Sequence, residues 1–358
     1  MQSPLAAWHT AHGAVVTDDR GISLPECFAD IEHEYRAVRD AAGLIDLSFR
    51  VQIGASGEDR VSFLQGMLSN DVESLQSGQG CPATLLTDQG RIVADLRVYA
   101  LEDSLMLDLD ARVKDKTVAA LERFIIADDV ELADLSADRT TIGVQGPLAS
   151  RLLEAAGASA SLTEDCQHAA ARLAETAVRV VRVSETGLDG YAILVPRPQA
   201  EAVWQTLLEA GRPLGACPVG LGALNMLRIE AGIPWYGVDM DEDRIVLEVG
   251  LDHALSFNKG CYLGQEVVER ASARGRVNRK LSGLLVQGPQ LPQSGDKLFS
   301  DTREVGWITS AILSPRFGRP IALGYVRREH LEPGTQLRID RNGTPVIAEI
   351  AVLPFPQE

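Results

Sequence analysis

Residues Asn258–Lys280 read NKGCYLGQEVVERASARGRVNRK, a cysteine inside a Lys-Gly-Cys-Tyr-Leu-Gly-Gln-Glu octet followed by a run of arginines, and they separate two textures of chain. Leu263, Val267 and Ala271 recur at helical spacing, so the octet leads into a short helix, with Cys261 just before it or in its first turn. Gly260 offers a backbone turn closed to other residues. Free amides at a helix start, the helix dipole and Lys259 would all favour a Cys261 thiolate; the plainer reading is a small side chain in a tight turn. After Lys280 the chain changes to short alternating runs, 281–286, 305–313, 322–326, 337–340 and 346–352, separated by Gly, Pro and Asn. Such strands in so short a span predict a closed or nearly closed β-unit.

Upstream of the octet, helices and strands mix. Asp30 is placed to cap a helix burying Ile31, Tyr35, Val38 and Ala42, with Gly43 to end it and 44–47 as a strand. Residues 84–99 read as a hairpin turning at Asp88-Gln89-Gly90, and Leu105, Leu107 and Leu109 alternate with Met106, Asp108 and Asp110 as in a half-buried strand. A helix should turn Val113, Thr117, Leu121, Phe124 and Ile125 inward, and 158–177 is alanine-rich, helix or loop. A hairpin is expected over 178–195, turning at Gly187–Gly190, and a helix should carry Leu221, Leu224, Leu227 and Arg228. The fold class is α+β, with a body over 1–279 and a β-barrel over 280–358.

A chain of 358 residues, 23% charged and 45% hydrophobic, can hold two or three domains of ordinary globular composition. Its net charge of −16 opposes general affinity for nucleic acid or acidic membranes, so an anionic ligand needs a local basic patch. The five cysteines are scattered, with none at zinc-ligand spacing, and no apolar run reaches membrane length. A reduced, cytoplasmic protein is expected.

Lys259–Glu266 resembles the signature of the YgfZ-type folate-binding proteins, relatives of the glycine-cleavage T-protein (aminomethyltransferase). Further likenesses are 34–48, 63–72, 86–99, 143–148 (GVQGPL), 227–250 and 310–327, in the family's order. The resemblance implies two interwoven α/β subdomains plus a C-terminal β-barrel in a three-part ring, with tetrahydrofolate or a derivative as cofactor. It further implies an accessory role in assembling or repairing iron-sulfur proteins, indirectly supporting tRNA modification, with those proteins or their assembly machinery as partners. The alternative is a folate-dependent one-carbon transferase, by aminomethyl transfer or demethylation.

Candidate residues follow. Asp95 shares a strand face with Val93 and Arg97, a surface ion pair on its own terms. The resemblance matches it to the catalytic carboxylate beside the reactive pterin nitrogens, where the family has an Asp-Asp pair and this chain has Ala94-Asp95. Leu188 stands where a pterin-binding glutamate is expected; Asp189 either substitutes one position on or belongs to a plain turn. Arg228 is a surface cation, an ion-pair partner or, by resemblance, the folate-contacting arginine. Tyr236 is either a core aromatic or a stacking face. Asp239, Asp241, Glu242 and Asp243 lack EF-hand spacing and read as a solvated turn. Arg270, Arg274, Arg276 and Arg279, with Lys280, form either a solvated hairpin or an anion site for a folate glutamate tail, an acidic partner or, least favoured, RNA. The octet residues Lys259, Gly260, Cys261, Tyr262, Gly264, Gln265 and Glu266 complete the set, with Cys261 as the nucleophile or ligand candidate.

Overall fold

A computed structural model of the chain describes residues 2–18, 21–158, 161–273, 277–341 and 344–356. The chain forms two compact units, the first from 1–85, 93–224 and 253–263, the second from 86–92, 225–252 and 264–358.

The first unit is built on two sheets. One has six strands in the order His168–Leu173, Thr176–Arg182, Gly190–Pro196, Arg139–Gln145, Gly43–Asp46, Cys217–Val219. All its pairings are antiparallel except the last. The other has five strands in the order Gly80–Leu86, Ile92–Ala100, Leu105–Asp110, Arg50–Ser56, Glu131–Asp134. Helices Ala149–Ala155 and Ala200–Gly211 cover the six-stranded sheet through Leu152, Leu153, Val203, Trp204 and Leu207, which pack on Val144, Ile193 and Val195. The sheets meet through a second apolar cluster of Tyr99, Met106, Cys166, Val181, Ala192 and Leu194. Strands sandwiched this way are covered on both faces, which explains why Leu105–Asp110 is buried at every position rather than half-buried as its alternation suggested.

The second unit carries the expected barrel, closed in the strand order Arg279–Val286, Arg319–Arg327, Arg303–Ser314, Lys297–Ser300, Gln336–Arg341, Thr344–Ala351. Its interior is Leu284, Val286, Leu298, Ile308, Ala322, Leu337, Ala348 and Ile350. Residues 225–252 and 264–278 belong to the same compact unit, so compactness does not divide the chain at 279/280.

Asp30 caps helix Ile31–Asp40 as expected, its Oδ2 accepting from the His33 amide at 3.1 Å. Gly43 opens the next strand instead of capping the helix, whose C-cap is Ala41; it is glycine because a Cβ there would lie 2.5 Å from Val38 Cγ2 and 2.6 Å from Val219 Cγ2. The helix after Val113 ends at Glu122, leaving Phe124 exposed. Within the alanine-rich 158–177, residues 168–173 and 176–177 are strand, because Ala169, Ala170 and Ala171 pair with Val180, Arg179 and Val178 across an edge ladder that alanine propensity does not foretell.

Candidate functional site

Alternation on three neighbouring strands of the five-stranded sheet brings Arg50 and Gln52, Asp108, and Asp95, Arg97 and Tyr99 together within the first unit. Arg50 donates from Nε and Nη2 to Asp108 Oδ2 at 3.1 and 2.6 Å, and Gln52 Nε2 donates to Asp108 Oδ1 at 2.9 Å and to Thr141 Oγ1 at 3.1 Å. Arg97 Nη1 donates to Glu185 Oε1 at 2.7 Å and stands 3.5 Å from Asp108 Oδ2. Glu185 is buried, and its position is fixed through Gln145, whose Oε1 accepts from the Glu185 amide at 2.9 Å. The Gln145 Nε2 donates to the Val183 and Tyr191 carbonyls at 3.1 and 3.3 Å. A Cβ on Gly190 would fall 2.2 Å from Gln145 Oε1, so this position must be glycine for Gln145 to keep its place.

Asp95 is the exception in this cluster. The residue is half-buried, its Oδ1 is buried, and that oxygen has no hydrogen-bond partner among the described residues; nor has the Oε1 of the buried Gln52. Burial pushes the Asp95 carboxyl above the ordinary carboxylate range, with Glu185 acting in the same sense, against the pull of Arg50 and Arg97. The balance follows from counting charges: the two guanidinium groups are already matched by Asp108 and Glu185, so an ionised Asp95 is a third carboxylate with no cation of its own. A carboxyl of this kind can accept a hydrogen bond from a ligand or hold a proton at a pH where an ordinary aspartate has lost it.

Asp95 thus lies in a buried charge cluster rather than in a surface ion pair. Glu185 and Asp108, which complete the cluster, were not singled out from sequence: Asp108 alternates with leucines like an outward polar residue, and the only pointer to Glu185 is its place just before the Gly187–Gly190 turn. Asp189 is half-exposed and accepts from Arg182 Nη2 at 2.8 Å, the arrangement of a plain hairpin turn.

Arg228, in the second unit, is buried and engaged on every side. It donates to Asn225 Oδ1 at 2.9 Å, the Ile233 carbonyl at 3.2 Å and Ser310 Oγ at 2.8 Å, pairs with Asp239, and lies 4.7 Å from the centre of the Trp235 ring. Asp239 also accepts from the Trp235 amide at 3.0 Å and from Thr309 and Ser310 Oγ at 2.6 Å each. Asp239 is therefore a buried ion-pair partner, a correction to its reading as part of a solvated turn; the exposed Asp241 and Asp243 do fit that reading. Tyr236 is buried, its hydroxyl 3.4 Å from the Ile92 carbonyl.

The octet is arranged differently from the expectation. Cys261 is exposed, and the helix that follows begins only at Gln265. The Lys259 ammonium donates to the carbonyls of Gln65, Leu68 and Asn70 at 2.6, 2.7 and 2.9 Å, and lies 5.2 Å from the centre of the Tyr262 ring. It closes the C-terminal end of helix Arg60–Met67 rather than serving a thiolate. Burial draws Lys259 down to about 8. Gly260 has no positive φ and open space around its Cβ position; Gly264 is the residue that needs glycine, with φ +83° and a Cβ that would meet the Thr87 carbonyl at 2.5 Å. Gln265 Nε2 donates to Glu269 at 2.6 Å, and Glu266 pairs with Arg270. Arg279 lies 3.9 Å from Glu248 and over the Trp307 ring, so Arg270 and Arg279 are each matched by a carboxylate; Arg274 and Arg276 lie outside the described residues.

A mixed sheet body with a closed β-barrel makes this an α+β protein, and its body holds a half-buried aspartate with no cation of its own. Residues 5–259 match the family model of the GCVT N-terminal domain, and 279–356 that of the glycine cleavage T-protein C-terminal barrel domain. The chain is 33% identical over 359 residues to an aminomethyltransferase of Chlorobium luteolum, covering 99% of this chain and 98% of the relative. It is 30% identical over 363 residues to one of Halalkalibacterium halodurans, covering 99% and 97%. The crystal structure of glycine cleavage system aminomethyltransferase T from Bartonella henselae superposes with a TM-score of 0.92 at 28% identity, covering 99% of this chain and 98% of that one. The chain belongs to the glycine-cleavage T-protein family.

Proposed function

We propose that the protein is a folate-dependent one-carbon transferase, with aminomethyl transfer foremost, and that Asp95 is the residue that meets the pterin. Tetrahydrofolate is the cofactor of the family, and the aminomethyltransferases it resembles along its whole length favour transfer over the iron-sulfur role. The observation that carries the reading is the buried, unpartnered Asp95 Oδ1. Such an atom fits a donor-rich ligand, because a pterin N–H would satisfy it. When bound, tetrahydrofolate supplies nitrogens able to carry a one-carbon unit. Asp95 accepts a hydrogen bond or holds a proton beside them, while Arg50 and Arg97, anchored by Asp108 and Glu185, moderate its rise in pKa. Leu188 can accept no hydrogen bond, so recognition of the pterin edge falls to other groups, of which Gln52 Oε1 is an unsatisfied acceptor in the same cluster.

Incubation with tetrahydrofolate and an S-aminomethyl donor should yield methylenetetrahydrofolate, ammonia and the donor's free thiol, the two folate N–H protons passing to the two leaving groups. Asp95→Asn should lower the rate while leaving the fold intact. A wild-type protein that binds folate but transfers nothing would overturn the transferase reading.

A second reading is favoured by one observation, the Lys259–Glu266 octet with its exposed cysteine. Under it the protein is a YgfZ-type accessory factor for iron-sulfur proteins, with Cys261 as the working thiol. Cells lacking the protein should then recover iron-sulfur enzyme activity with the wild-type chain but not with Cys261→Ser, a substitution that keeps the size and removes the soft nucleophile.

A further inference from the structure

A cleft of about 500 Å³ opens in the first unit, apart from the Asp95 cluster, lined among others by Ser77, Glu102, Asp103, Ser104, His168 and Arg179. Its volume is that of a small-molecule site. Arg179, half-buried on strand Thr176–Arg182, donates from Nη1 to His168 Nδ1 at 2.8 Å, which fixes that nitrogen as an acceptor and the ring as neutral. Burial and the nearby Arg179 charge hold His168 down to about 4, in keeping with that geometry. Among the described residues no carboxylate stands within ion-pair distance of Arg179; Arg139 adds charge of the same sign, and Glu102, farther off, partly offsets it. A half-buried guanidinium oriented by a neutral ring carries its charge without a directly paired carboxylate, unlike Arg50 and Arg97.

The cleft is nevertheless not a plain anion site. Glu102 and Asp103 line it from the exposed turn Leu101–Ser104, closed by the Leu101 amide donating to the Ser104 carbonyl at 2.9 Å. With His168 neutral, the lining holds one cation and two anions, which repel phosphate and other dianions. Opposite charges on one small cleft match a ligand that bears both.

We propose that this cleft binds a small dipolar carboxylate of the amino-acid type, its carboxylate on the Arg179 guanidinium and its ammonium toward Glu102 and Asp103, with Ser77 and Ser104 as hydroxyl partners. The site is distinct from Asp95 and its occupation does not depend on the transferase reading.

Saturation-transfer NMR on the full-length protein tests this with L-alanine, acetate and ethylammonium as separate probes, and with inorganic phosphate, which has no carbon-bound protons, as a competitor of the L-alanine signal. L-Alanine should bind in the millimolar range and more tightly than any of the other three. Arg179→Gln should weaken it by about ten-fold or more, the scale of one lost charge-assisted hydrogen bond. The double substitution Glu102→Gln, Asp103→Asn, on an exposed turn that tolerates it, should weaken L-alanine while tightening acetate, and this arm stands even if Arg179→Gln fails to fold. Absence of L-alanine binding at tens of millimolar, tighter binding of acetate or phosphate, or equal affinity in folded Arg179→Gln would each overturn the proposal.

Discussion

Asp95 owes its character to a charge count, and the count makes a prediction in pH. Its carboxyl is raised in the folded protein, so the native state holds the proton more tightly than the unfolded chain does. The resulting stability is full below the ordinary carboxylate range and is lost as pH rises through the raised native value. Asp95→Asn is neutral throughout. In denaturant titrations it should therefore gain on the wild type as pH rises across that window, ending more stable by about 1 kcal/mol near neutrality, in the manner of a strained functional residue relieved. A variant that loses ground with rising pH would mean that the wild-type carboxylate is matched after all. Cys261 gives a second test at this scale. It is exposed, whereas burial raises Cys27, Cys81 (to about 12), Cys166 and Cys217 (to about 11). Under native conditions near neutral pH, a limiting alkylating reagent should modify Cys261 first, as read by peptide mass; equal labelling of a second cysteine would contradict the structure.

Among the elements, the octet and the 225–252 segment show which residues are structural. Gly264→Ala should cost more than about 1 kcal/mol, since it puts a side chain at positive φ against the Thr87 carbonyl, while Gly260→Ala should be nearly neutral. Thermal melts of the two would reverse if the turn were at Gly260. Arg228→Met strands the Asp239 carboxylate in the interior and should cost about 3–5 kcal/mol. A well-folded, stable Arg228→Met protein would show that the ion pair is dispensable. Much of this level was legible: the Asp30 cap, the two hairpins and most of the barrel strands follow from caps, turn residues and period-two patterning. What escaped depended on tertiary partners. The strand Leu105–Asp110 reads as half-buried until Arg50 and Gln52 are seen to satisfy Asp108, and Asp239 reads as solvated until Arg228 meets it. The alanine strand at 168–173 has no local signal, since alanine in an edge ladder is chosen by its neighbour strand.

For the whole molecule, the sequence carries the family through order rather than through any single strong site: the GVQGPL segment contributes Gln145, the 86–99 segment contributes Asp95, and the barrel follows the arginine run. The fold and cofactor expectations rest on that order. The proposed transfer chemistry is harder to read, because Ala94 and Leu188 stand where the resemblance places acidic groups, and Asp108 and Glu185, which pair with Arg50 and Arg97, reach the cluster only through sheet packing. Binding of reduced folate to this body at Asp95 can be measured by calorimetric titration with tetrahydrofolate. Saturable binding to the wild type is expected, weakened in Asp95→Asn by about 1–3 kcal/mol, the scale of a lost charge-assisted hydrogen bond, with Cys261→Ser binding as the wild type does. No binding to the wild type, or full affinity in a folded Asp95→Asn protein, would contradict it.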